Sequence, residues 1–131
     1  MTSTLTLVIY TAILTWLSLL AASIIRAKAW TLPGMMIGMG NRDNLREPTP
    51  LAARADRAAR NTVEGFIIFA AIALTAHAAG VASPRVALGA EVFFWSRILY
   101  IPIYYAGITY LRTVVWTVGV AGLAMMISAL I

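Results

Sequence analysis

Four long, largely apolar runs, residues 5–25, 62–79, 86–106 and 114–131, decide most of what this chain can fold into. Each is close to the roughly 20 residues that carry an α-helix across a hydrocarbon core. In that solvent a backbone must satisfy its own hydrogen bonds, which leaves only helices and closed barrels. Barrel strands alternate apolar and polar residues over about ten positions. These runs are continuously apolar and rich in Leu, Ala, Ile and Met, so they read as helices. A hydrophobic share of 61%, a charged share of 11% and a mean hydropathy of +0.85 leave too little polar surface for a water-soluble domain. The expected fold is all-α, an integral membrane four-helix bundle forming one domain over residues 1–131, with helices at about 4–29, 50–79, 84–107 and 111–130.

Charge sets the expected orientation. Of ten Lys and Arg residues, seven lie between the first and second runs: Arg26, Lys28, Arg42, Arg46, Arg54, Arg57 and Arg60. Arg112 lies between the third and fourth, and the second connection offers only Arg85. The positive-inside rule then puts loops 1 and 3 in the cytoplasm and both termini on the opposite side. The first run has no basic segment before it, with Arg26 and Lys28 following instead, so it reads as a true span and not a signal peptide. This topology accounts for the pI of about 10.3, and without a basic stripe interleaved with aromatics nucleic acid is not an expected partner. Cysteine is absent, so any thiol chemistry must bring its sulfur from outside. The single histidine, His77, stands near the end of the second span, where an interfacial side chain is the simpler reading.

Residues 31–50, with their prolines, glycines and methionines, read as a long irregular loop whose methionines touch a membrane surface or an apolar ligand. At Thr49 and Pro50 the pattern turns helical, Thr49 as a cap and Pro50 in the first turn. A row follows at i, i+3, i+4 and i+7, namely Arg57, Arg60, Asn61 and Glu64, and it runs straight into the apolar residues 65–76. Asp56 and Arg60 are spaced to pair, and Arg57 reads as a cytoplasmic surface charge. The third span carries Glu91, Arg97 and Pro102, with Tyr100 and Tyr104 on the face of Arg97. An unpaired cation at such depth costs at least about 2.5–3.5 kcal/mol, so Arg97 needs a partner, and Glu64 of the same or another subunit is the candidate. Gly119, Gly122 and Ser128 would let the fourth span approach a neighbour closely, without a strict small-xxx-small motif.

Four short helices have little interior in which to hide so many charges, and oligomerisation resolves this by offering interfaces between subunits. A cleft there, open to the cytoplasm and to lipid, suits a small anionic polar ligand, because guanidinium groups take carboxylates bidentately. It could also receive an apolar co-substrate from the bilayer. The same groups could equally be structural ion pairs that hold helices in register.

The strings RAARNTVEGF, FFWSRILYIPIYYAGITYLRT and GNRD resemble the MAPEG superfamily, membrane-associated proteins in eicosanoid and glutathione metabolism, and its bacterial branch in particular. The resemblance spans nearly the whole chain. It implies a homotrimer in a bacterial inner membrane with glutathione bound between adjacent subunits. It also implies that Arg60, Asn61 and Glu64 contact glutathione from helix 2, Arg97, Tyr100 and Tyr104 from helix 3, and Arg26 from helix 1. Tyr100 stands where prostaglandin-forming relatives have histidine. Arg112 corresponds to the arginine that stabilises the glutathione thiolate, and Thr113 stands where some relatives carry serine. A guanidinium beside a thiol lowers its pKa and so populates the nucleophile. The resulting expectation is a membrane-bound glutathione-dependent transferase or peroxidase acting on lipophilic electrophiles or hydroperoxides. The alternative is a non-catalytic trimeric membrane protein whose polar cluster is structural or binds lipid head groups. A small transporter would show paired interrupted helices and repeated halves, which the chain lacks.

Overall fold

A computed structural model describes residues 1–131 as five helices: α1 (Ser3–Ala27), α2 (Leu32–Met39), α3 (Pro50–Ala78), α4 (Pro84–Ala106) and α5 (Thr109–Ser128). All but α2 are long and apolar enough to cross a membrane, as the four apolar runs require. Their starts are set by local chemistry. The side chains of Thr2, Thr49 and Ser83 accept from the backbone N–H groups of Leu5, Ala52 and Arg85, satisfying donors that a first turn leaves free. Pro50 and Pro84 fall in first turns, where a missing N–H costs nothing.

α2 corrects part of the expectation of an irregular loop over residues 31–50: residues 32–39 are helical, and residues 40–49 are irregular as expected. Pro33 sits in its first turn and does not break it, and Thr31 caps it by accepting from the Gly34 N–H. Gly34 and Gly38 face α1, where side chains would meet the backbone of Ala27 and Lys28 or the Ala27 methyl. Arg42, at a left-handed φ of 62°, ties the segment down by donating from Nη2 to Ser23 Oγ at 2.7 Å and from Nε to the Gly38 carbonyl at 3.1 Å.

The spanning helices pack as two pairs, α1 on α3 and α4 on α5, joined through α3–α4 and α1–α4 contacts. Lipid tails are as apolar as leucine, so helix association relies on close packing and internal hydrogen bonds. Both are visible here. Ala22, Ala55 and Ala59 form the α1–α3 seam, and Gly89, Gly119 and Gly122 bring α4 and α5 together. The main core, around Phe69, Ala90, Phe93 and Met126, includes a stacked Phe69–Phe93 pair with centroids 4.7 Å apart. Buried Thr11, Thr15 and Thr62 return their hydroxyls to carbonyls one turn earlier, each at 2.7 Å, which satisfies these three donors inside their own helices.

The termini of α1, α3, α4 and α5 are arranged so that Arg26, the first turns of α3 and Arg112 gather at one end of the bundle. Gly107, with φ 78°, makes the tight turn from α4 to α5, and Arg54 Nε donates to the Tyr105 carbonyl at 3.0 Å, pinning this end of α4 to α3. At 29 residues α3 is about 43 Å long, more than the roughly 30 Å of hydrocarbon, so its charged first turns extend beyond it.

A Cβ on Gly122 would lie 2.7 Å from the Gly89 carbonyl oxygen and 2.9 Å from the Phe93 nitrogen, whereas one on Gly119 meets the rotatable Ser96 hydroxyl. Gly122→Ala is expected to cost about 1–3 kcal/mol through overpacking. Gly119→Ala is expected to cost less, and thermal unfolding of the two variants in detergent gives the order.

Candidate functional site

Tyr104 organises the basic end. It and Tyr100 stand one turn apart on α4, buried, with their rings edge to face at 5.5 Å. Two cations address Tyr104 from different helices. The Arg112 guanidinium, from the opening turn of α5, lies 4.4 Å from the ring centroid. Arg57 of α3 lies 6.0 Å from it and donates from Nε to the Tyr104 hydroxyl at 3.1 Å. A phenolic oxygen that accepts from a guanidinium still has its own proton to donate. Asn61, Tyr100, Tyr104, Arg112, Thr113 and Trp116 line an open cleft of about 230 Å³ with no carboxylate in its wall. The buried Asn61 Oδ1 has no partner within the chain. The Thr113 hydroxyl donates to the Thr109 carbonyl at 3.3 Å and is exposed.

Deeper in the membrane, Arg97 is 3% exposed. Its guanidinium carbon lies 4.1 Å from the Tyr100 ring centroid, and Nη2 donates to Thr62 Oγ1 at 3.0 Å. The expected Glu64 partner is not there within the chain: Glu64 is exposed and makes no ion pair. Residues two apart on a helix point about 200° apart, and since Thr62 faces α4, Glu64 turns away from it. A π-face and a hydroxyl therefore take the role expected of a carboxylate. Arg97 Nε remains buried and unpartnered.

Not all the residues singled out in the sequence come together. Arg60 pairs with Asp56 at 2.9 Å, with side chains 72% and 58% exposed, and this is the only ion pair in the chain. Arg60, Asp56, Arg26 and Arg42 line a different hollow, of about 350 Å³, between α1 and α3. The row on α3 thus divides into an Arg60 side facing α1 and an Arg57–Asn61 side facing α4 and α5. Arg57 is exposed, as its reading as a surface charge expects, and it also touches Tyr104. Its signal was present in the i, i+4 spacing to Asn61, which puts both on one face. No three His, Asp or Glu side chains gather as metal ligands would.

The fold and the cleft define a polytopic helical membrane protein with a cation-lined polar pocket at one end of its bundle. The chain belongs to the MAPEG family, whose model matches residues 3–131. This makes it a member of a glutathione-related family of membrane transferases and peroxidases. No curated protein and no solved structure matches it.

Thr62→Val is nearly isosteric and removes the acceptor that Arg97 uses. It is expected to destabilise the protein by about 1–3 kcal/mol, the range for a buried donor left unsatisfied. A lower Tm in detergent, larger than that of Thr75→Val on the exposed side of α3, is the measurement that checks it.

Proposed function

We propose that the protein is a membrane glutathione-dependent transferase or peroxidase that acts, as a homotrimer, on lipophilic electrophiles or hydroperoxides delivered through the bilayer. The observation that carries this reading is the pairing of Arg112 and Arg57 on Tyr104 at the edge of a cleft without acidic groups. Such a cleft suits a ligand with more carboxylates than amines, and glutathione has two carboxylates, one ammonium and a thiol. The unpartnered Asn61 Oδ1 is an acceptor for an ammonium or a peptide N–H.

The division of the polar residues over two faces supports a site shared between subunits. Arg26 and Arg60 are turned away from the Tyr104 cleft of their own chain, while Glu64 is exposed at the membrane boundary. A neighbouring copy supplies the missing wall: its α1–α3 face offers guanidinium groups to the ligand's carboxylates, and Glu64 meets a cation or the ammonium. In this reading the basic end faces the cytoplasm of a bacterial inner membrane, and the distribution of cations supports that orientation.

The chemistry asked of the chain is modest. Arg112 lowers the pKa of the thiol by holding positive charge beside it, and the proton leaves to solvent. The thiolate then forms a carbon–sulfur bond as the leaving group departs with the bond's electron pair. With a hydroperoxide it attacks the distal oxygen, and the alkoxide released takes a proton from the Tyr104 hydroxyl, which regains one from solvent. A second glutathione then displaces water from the resulting sulfenic acid and gives the disulfide.

Ultraviolet difference spectra of glutathione with the purified oligomer should show a thiolate band at neutral pH. Arg112→Ala should lose the band and reduce conjugation of a lipophilic aryl halide by about 100-fold, the scale for removing one charge-stabilising group. If neither thiolate nor any rise in Tm accompanies glutathione in the intact oligomer, the polar cluster is structural and the reading fails.

A further inference from the structure

α2 is apolar on every side, yet the side it turns inward carries almost no bulk. Gly34 is buried against the end of α1 and Gly38 lies against the Ala27 methyl. The large residues are left outside: Trp30 and Leu32 before and at its start are 65% and 71% exposed, and Met36 and Met39 are 69% and 82% exposed. A helix with no polar face is stable only where something apolar covers it. Nothing else in the chain does. The Arg42 bonds to Ser23 and Gly38 hold the glycine side against α1, so the helix cannot roll to bury its methionines.

Position and charge identify the cover. α1 has 25 residues and is about 37 Å long, against roughly 30 Å of hydrocarbon, so its end reaches head-group level. α2 follows after a short turn, and Trp30 stands at the depth where aromatic side chains favour a bilayer interface. Behind α2 lies a hollow of about 360 Å³ walled by Arg26, Lys28, Arg46 and Glu47, with cations in excess. Anionic head groups attract such a rim at close range.

We propose that α2 is an interfacial anchor seated in the leaflet at the basic end of the bundle. Trp30, Leu32, Met36 and Met39 enter the acyl boundary, while Lys28 and Arg46 engage the phosphates of anionic phospholipids. The glycine face lets α2 sit tight against α1, so the anchor is rigidly coupled to the transmembrane helices. Its occupant is lipid, and this assignment stands independently of what the Tyr104 cleft binds.

The test uses the full chain in nanodiscs of phosphatidylcholine with phosphatidylglycerol. Trp30 emission is isolated by Trp16→Phe, Trp95→Phe and Trp116→Phe, or read as the difference between the wild-type chain and Trp30→Phe. Acyl chains brominated near the glycerol should remove most of that emission, chains brominated near the methyl end less, and aqueous iodide little. Quenching by iodide and not by brominated lipid would show α2 facing water. Resistance to both would show a second copy of the chain covering it, and either outcome overturns the proposal. In a second arm, Met36→Glu with Met39→Glu should speed tryptic cleavage after Arg42 and Arg46 several-fold in the same discs. Wild type should be cleaved faster in discs of phosphatidylcholine alone. Cleavage unaffected by either the glutamates or the loss of anionic lipid would also overturn it.

Discussion

Arg97 stands near the centre of a membrane-crossing helix, and no carboxylate of its own chain answers it. Its charge is met by the face of Tyr100 and the hydroxyl of Thr62, which makes the α3–α4 contact obligatory. Separating these helices would expose a guanidinium to hydrocarbon, at a cost that exceeds any single apolar contact. The contact in turn sets the rotation of α3: Thr62 points at α4, so Asn61 and Arg57 follow on the side that meets Tyr104. The buried arginine thereby orients the polar cleft a turn or two above it.

The remaining architecture serves the same arrangement with small residues. α4 and α5 approach so closely at Gly89 and Gly122 that the backbones themselves are in contact. This closeness, with the two-residue turn at Gly107, brings Arg112 onto the ring of Tyr104. α1, which carries the other arginine-lined hollow, binds α3 through an alanine seam on its far side. The single subunit therefore presents two polar faces separated by the thickness of α3. The proposed symmetric assembly would turn one face toward the other, which would give a physical reason for the exposed Glu64 and Arg57 at a membrane boundary.

Much of the fold could be read from residues alone because the bilayer admits few solutions. Continuous apolar runs, on helices that open at Thr49–Pro50 and Ser83–Pro84 and turn at Gly107, define spans whose hydrogen bonds must be internal. The exception was α2, where prolines and glycines suggested irregular chain. There the proline occupies a first turn and the glycines serve close packing against α1, a distinction that depends on a neighbour. The site was legible as a set of residue types but not as a geometry. Asn61, Tyr100, Tyr104, Arg112 and Thr113 come together, Arg60 and Arg26 go elsewhere, and the exposed Arg57 joins through Tyr104.

The amino-acid order was enough to establish four membrane-crossing helices, the gathering of cations at one end and the family to which the chain belongs, because length, hydropathy and capping are local or additive properties. Which residue faces which helix was left to packing. Thr62 and Glu64 are two positions apart, and only the docking of α3 on α4 chooses the hydroxyl over the carboxylate as the partner of Arg97. The same docking turns Arg57 and not Arg60 toward Tyr104, since a rotation of α3 by a fraction of a turn exchanges them, and no local pattern encodes that rotation.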